Sequence, residues 1–393
     1  MKEGWTYKKL GEVGTFVRGG GFLKRDYVEN GIPCIHYGQI HTVLGNVTTE
    51  HLTSISEELR SKTKFASKGD VIFAITSEDV EGSCKCTAWM GAYDVAVGGH
   101  AAIYKSSLNP AYVSYYAKSP VFYNAKKQYV HGFKVMEIKP ADIAQIDIPV
   151  PSLDEQQRIV ERLDAAFENI DKLKANAEKQ LAEAQTLFQK SLAKAMEPKE
   201  GWEEKKLGDV AEVNRGRSKH RPRNDKRLFG GPYPFIQTGD IRNAQGGEIK
   251  DFSQTYSEFG LSQSKLWAKG TICITIAANI GETAILGFDA CFPDSIVGIH
   301  PDETVLDALF LNYYLLSIKK EIDSQSYGTA QKNINLEVLN NIVMQIPSLA
   351  EQQRIVERLD ALSENIRKYE EIQRQIISEC DALKQALLRK VFE

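Results

Sequence analysis

The sequence lacks any uninterrupted run of the 18 or so apolar residues that a membrane span requires. Its opening, "MKEGWTYKKLGEV", has no apolar signal core. Both absences predict a cytoplasmic chain without a membrane segment. Cysteine is sparse. The six (Cys34, Cys84, Cys86, Cys273, Cys291, Cys380) are scattered, and only Cys84 and Cys86 are close, in a C-x-C that a strand would place on one face. One such pair is half a metal site, and in a cytosolic setting the six read as ordinary reduced thiols. Seven histidines without ligand spacing support no metal site. An excess of basic charge is missing too. Forty-nine basic against 52 acidic side chains leave a net charge of −3, which argues against a strongly basic nucleic-acid binder, so local charge must decide. Signatures of catalysis are also absent: there is no G-x-x-x-x-G-K-[ST] phosphate loop, no H-E-x-x-H and no nucleophile elbow. Nor is there the (Asn/Asp/Ser)-Pro-Pro-(Tyr/Phe) motif with which amino-methyltransferases hold a target base. "GEVGTFVRGG" at Gly11 resembles a glycine-rich nucleotide loop only superficially, since no helix is expected after it.

What is present is a chain written twice. Its 393 residues predict two or three domains, and 42% hydrophobic with 26% charged residues is ordinary for a soluble globular protein. "EGWTYKKLGEV" from Glu3 returns as "EGWEEKKLGDV" from Glu200, 197 positions on. "PCIHYGQI" matches "PFIQTGDI", and "KGDVIFAIT" matches "KGTICITIA", each 201 positions on. "PSLDEQQRIVERLDA" from Pro151 returns as "PSLAEQQRIVERLDA" from Pro347, differing only at Asp154 against Ala350. A period this long is a whole domain followed by an appendage, not a solenoid unit.

Within each domain, β-branched runs such as "GDVIFAIT" and "GTICITIA" between Gly, Asn and Asp punctuation read as strands. "PAYVSYYAKS" and "VLDALFLNYYLLSIKKEI" read as late helices. The appendage begins with Ser152 three residues before Glu155, and Ser348 three before Glu351, the spacing of a capping box. Apolar residues then recur at spacings of three and four. The first stripe is Val160, Leu163, Phe167, Ile170, Ala177, Leu181, Ala184, Phe188 and Ala195, interrupted by Lys174 and Ser191. The second is Ile355, Leu359, Leu362, Ile366, Tyr369, Ile376, Cys380, Leu383 and Leu387, interrupted by Gln373. Each reads as a coiled-coil seam on a helix roughly 60 Å long, which needs a partner the chain itself supplies; the alternative is that the stripes merely pack on their own domains.

This layout, with "GW..KKLG" heading each domain and "EQQRIVERLD" heading each helix, resembles the specificity subunit of type I restriction-modification systems, end to end. The second domain's "GTAQKNI", residues 328–334, is similar to that family's Gly-(Ser/Thr)-x-Gln-x-x-Ile segment. The first domain departs from it: "GFKVMEI", residues 132–138, has Val135 where the glutamine would stand. The resemblance implies one fold class, α+β: two tandem mixed α/β target recognition domains, each followed by a long helix, the helices paired as an antiparallel coiled coil with pseudo-twofold symmetry. The divisions expected are residues 1–150, 151–197, 198–346 and 347–393. Each recognition domain would read one half of a bipartite site in double-stranded DNA, while the helices set the spacing and dock two methylation subunits that bring S-adenosylmethionine. Restriction subunits would join that core. The chain itself would be non-catalytic and without cofactor, monomeric alone and present once per complex. Antiparallel helices would also return Glu393 to the first domain. Two rival readings are a stand-alone DNA-modifying enzyme and a coiled-coil adaptor joining two protein-binding domains.

Candidate DNA contacts follow from residue type and loop position. "NRGRSKHRPRNDKR", residues 214–227, carries Arg215, Arg217, Lys219, Arg221, Arg223, Lys226 and Arg227 against one Asp, with His220 among them. Such side chains neutralise phosphates or pair with base edges, although surface charge runs are also commonly just solvated. The counterpart "RGGGFLKRD" offers Arg18, Lys24 and Arg25, with three glycines that would permit close backbone approach. Tyr37 and Gln39 in "HYGQI", with Thr238 and Asp240 in "QTGDI", are candidates at strand-end turns, where polar side chains also serve structure. Asn279, Gln331, Lys332 and Asn333 in the second domain suit adenine contacts or turns. Ser77, Glu78, His131 and Lys134 hold the matching places in the first.

Overall fold

The structure is a computed structural model and describes residues 4–277, 279–324 and 334–393. The chain divides into two compact units, residues 4–178 with Arg374–Glu393, and Lys179–Gln373. Each long helix therefore starts in one unit and ends in the other.

In the first unit the "KKLG" heading forms a strand, Thr6–Lys9, paired antiparallel with Asp147–Val150 immediately before the helix opening. Leu10 then plugs the core, and Gly11 lies so close to Ala144 that a Cβ would sit 3.0 Å from that residue's own. A five-stranded sheet runs in the order Gly14–Arg18, Ala101–Ser106, Val71–Ala74, Cys86–Trp89, Val47–Thr48, antiparallel except for the last pairing. All four residues of Val71–Ala74 are buried, which explains why that run is continuously apolar rather than alternating: both faces are covered. A second five-stranded sheet orders Tyr27–Val28, Thr53–Ile55, Ile32–Ile35, Val95–Val97, Lys64–Ala66. Cys86 begins a strand, but Cys84 lies before it with φ +61°, so the two thiols do not share a strand face. Burial pushes the Cys84 thiol up to about 12.

The second unit repeats the plan. Glu203–Lys206 pairs with Val343–Ile346, and the sheet order Ala211–Arg215, Ile296–Pro301, Ile272–Thr275, Thr283–Leu286, Glu248–Ile249 reproduces the first sheet strand for strand. A four-stranded sheet, Gln254–Tyr256, Phe229–Phe235, Ala290–Cys291, Leu266–Trp267, corresponds to the second.

The long helices span Leu153–Ala195 and Leu349–Phe392. Ser152 Oγ accepts from Glu155 N at 3.3 Å, while the Glu155 carboxylate turns to Arg158 at 3.4 Å rather than completing the reciprocal box. Glu351 likewise turns to Lys199. Within each unit the helices pair in antiparallel sense. In the first, Lys174 bonds Asp381 at 2.7 Å and Lys384 pairs with Asp171; in the second, the Tyr369 hydroxyl donates to Gln180 at 2.8 Å and Lys199 meets Glu351 at 3.3 Å.

The second stripe needs correcting at Tyr369 and Leu383. Tyr369 and Leu383 are 40% and 48% exposed, while Glu370, Gln373, Cys380 and Leu388 lie inside. A straight helix drifts against a strict seven-residue repeat, and Lys384 takes an inward place by lying across the Phe167 ring, 5.0 Å from its centroid. Leu383 is thereby turned out.

The core of each unit is gripped by the start of one helix and the end of the other. The first core holds Ile159, Val160 and Leu163 together with Leu388 and Phe392, so the end of the second long helix does return to the first domain. The second core holds Ile355, Val356 and Leu359 with Leu192 and Met196. Among the described residues no helix is long and apolar enough to cross a membrane.

Candidate nucleic-acid interface

In the first unit the fold draws five of the candidates into one connected surface. Residues 131–137 form a hairpin whose second strand, Met136–Glu137, also pairs with Thr76–Ser77. Arg18, at the end of an edge strand, bonds Glu137 at 3.1 Å and donates to the Gly99 carbonyl at 3.0 Å. Tyr37 packs against His41 and His100, and His41 Nε2 contacts the Thr76 carbonyl at 3.0 Å. Arg18, Tyr37, Ser77, His131 and Lys134 thus lie on linked elements, with Glu78 exposed just beyond Ser77. Sequence reasoning missed His41 and His100, whose only signal is their spacing from strand ends. It also missed Lys126, whose buried ammonium donates to the carbonyls of Ser83 and, at 2.9 Å, Glu81, tying down the turn after Ser77. Burial lowers the pKa of that lysine.

Three expectations change. Gln39 is only 6% exposed, and its amide is spent: Oε1 accepts from His36 N at 3.1 Å and Nε2 donates to Thr53 Oγ1 at 3.2 Å. Asp240 does the same for Gln237 N at 2.8 Å. Both hold the first turn of a short helix, Tyr37–Thr42 or Thr238–Ala244, where strand-end turns were expected. Thr238 opens its helix, half-buried. Gly19 is not open to a ligand either, because a Cβ there would lie 2.3 Å from the Gly98 carbonyl; the glycine lets the loop pack on its own domain. Lys24 and Arg25 are exposed in a 3-10 turn, Lys24–Asp26, at the edge of the second sheet. After strand Gly14–Arg18 the glycine-rich stretch leads to this turn, so it presents no helix N-terminus of the kind that cradles phosphates.

In the second unit the basic loop is folded on two aspartates. Asp294 pairs with Arg223 at 2.8 Å, and its carbonyl accepts from Arg215. Asp225 receives Arg227 at 2.7 Å and His220 at 2.8 Å. The Arg227 guanidinium, the Arg227 amide and then the imidazole hold the Asp225 carboxyl well below the usual range. Arg221 donates to the carbonyls of Ser218 and His220. Arg217, Lys219 and Lys226 are exposed and carry no ion pair among the described residues, which leaves three cations facing solvent. Asn279 is exposed, its carbonyl taking the Thr275 hydroxyl. Gln331, Lys332 and Asn333 lie outside the described residues.

The domain description "Type I restriction modification DNA specificity domain" matches residues 2–183 and again 199–377. The StySPI specificity subunit of a type I restriction enzyme from Salmonella potsdam is 23% identical over 420 residues, spanning 100% of this chain and 89% of its own length. The HsdS subunit of Thermoanaerobacter tengcongensis superposes with a TM-score of 0.62 at 20% identity, covering 100% of this chain and 97% of that one. A chain from a structure of type I restriction-modification complex assembly superposes with 0.83 at 21% identity, covering 100% and 98%. With both halves of the sequence matched and the same sheet order built twice, the chain belongs to the specificity subunits of type I restriction-modification systems.

Proposed function

We propose that the two recognition domains read unlike half-sites of one bipartite target in double-stranded DNA, and that the paired helices fix the spacing between them. The observation that carries this is one strand plan bearing two different surfaces. The first unit presents an aromatic and histidine surface with a hairpin; the second presents an arginine-rich loop shaped by Asp225 and Asp294. A shared scaffold with divergent loops is what two readers of different sequences need. Two methylation subunits dock on the helices and bring S-adenosylmethionine and the base-flipping pocket; restriction subunits join them. One copy of this chain serves each complex, and alone it is a monomer. A near-neutral subunit that shares DNA contacts with its partners need not bind tightly by itself.

Exchanging residues 1–150 for another recognition domain and mapping methylated sites tests this. One half-site should change and the other persist; a change in both, or in neither, overturns the reading. In the assembled complex, replacing Arg217 and Lys219 together by alanine should flatten the dependence of log affinity on log salt by about two contacts. An unchanged slope would mean that the loop is merely solvated.

A further inference from the structure

We propose that Phe133 is a wedge that enters the base stack of the half-site read by the first unit. The inference rests on the DNA-reading role above and assigns one residue a distinct action within it. Phe133 is 93% exposed, more than any other large apolar side chain among the described residues. Exposure of a single apolar residue is ordinary; the bracing beneath this one is not. Gly132 turns the hairpin with φ +139°, and a Cβ there would meet the Val135 carbonyl at 2.0 Å, so the tip is shaped around a glycine. Met136 and Glu137 are paired on both sides, to residues 131–132 and to residues 76–77. Ile138 is fully buried and its N–H donates to the Ile75 carbonyl at 3.0 Å, while Arg18 clamps Glu137. The ring therefore stands at the end of a three-stranded support that is anchored in the core.

Charge favours a duplex as the occupant. His131 and Lys134 flank the ring and residues 131–136 include no acid; Glu137 is paired with Arg18, and the exposed Glu78 lies off the hairpin, beyond the end of the strand Thr76–Ser77. Protein docking sites are contiguous apolar patches, whereas here one ring and Val135 project among polar neighbours. Side chains that part a base step need stiffness, since a ring that folds away cannot hold the bases unstacked.

The test uses the complex of this chain with its methylation subunits on a duplex carrying the target found by methylation mapping, with 2-aminopurine at successive positions of the first unit's half-site. Apart from the base that the methylation subunits flip, which should brighten in every variant, the native chain and Phe133→Trp should each brighten one step of that half-site, and Phe133→Ala should not. Phe133→Ala should also bind that duplex roughly 10- to 100-fold more weakly, with assembly unchanged. An exposed ring is not needed for folding, so the variant reports on DNA. Equal affinity and brightening in Phe133→Ala, or a loss confined to assembly with the methylation subunits, overturns the proposal. Failure of the underlying recognition role would appear separately, as a methylation map indifferent to exchange of residues 1–150.

Discussion

Phe392→Ala should lower the stability of the first unit by about 3–5 kcal/mol, although it alters the last residue of a long helix. Terminal residues of exposed helices normally fray, and their substitution costs almost nothing. Phe392 is 1% exposed, with its ring 5.3 Å from those of Tyr112 and Tyr116, inside the core that also holds Leu163 and Phe122. Removing it opens a cavity under the helix Pro110–Ala117 and forfeits two aromatic pairs. For a unit of this size the midpoint of thermal unfolding should fall by about 10 °C, and protease should cut the first unit before the second. A fall of less than about 2 °C would show that the helix end merely rests on the surface. The corresponding place in the second unit is held by Met196, which is 7% exposed. Its replacement by alanine should act on that unit instead.

The repeat, the helix starts and the strand runs were legible because their signals are local. Ser152 sits three residues before Glu155, and the run at Val71 is continuously apolar. What the sequence hid depends on partners far along the chain. Glu370 lies inside and Tyr369 outside because a seam some forty residues long drifts, and because the far end of the helix must deliver Leu388 and Phe392 to a core nearly 280 residues earlier. Periodicity alone cannot place that phase.

The candidate site was legible in its loops and less so in its side chains. Local charge counting found the run at Arg215 but could not foresee that Asp294, 71 residues beyond Arg223, would take up part of it. Gln39 and Asp240 were read as base-contacting groups, yet each stands three residues after His36 or Gln237, the same interval as in the long helices' capping boxes. The interval is a weak signal where, as here, neither preceding residue is the usual serine or threonine. Phe133 carried no sequence signal apart from its place between glycine and lysine; only the folded hairpin shows how fully it is exposed.

Gln352→Leu should cost about 3–6 kcal/mol, because it strands a donor and two acceptors in the interior. Gln352 is fully buried; its Oε1 accepts from Asp307 N at 2.7 Å, and its Nε2 donates to the Pro347 carbonyl at 2.8 Å and the Val305 carbonyl at 2.9 Å. Asp307 is the N-cap of the helix Ala308–Ser317, so one side chain ties the start of the long helix to the start of the domain's late helix. Gln156 repeats the arrangement, accepting from Asn109 N at 2.8 Å and donating to the Pro151 carbonyl at 2.9 Å. Further along the same opening, Asp164 and Asp360 receive the hydroxyls of Tyr115 and Tyr313, at 2.5 and 2.6 Å. The near-identity of the two openings thus follows from a clasp built twice, while the loops that hold the candidate contacts carry no such constraint. Gln353→Leu is the matched control: Gln353 is exposed, and its replacement should shift stability by no more than about 0.5 kcal/mol. Equal effects from the two substitutions in thermal or denaturant unfolding would mean that the opening is kept for its outer face, as a docking surface, and that the inward clasp contributes little.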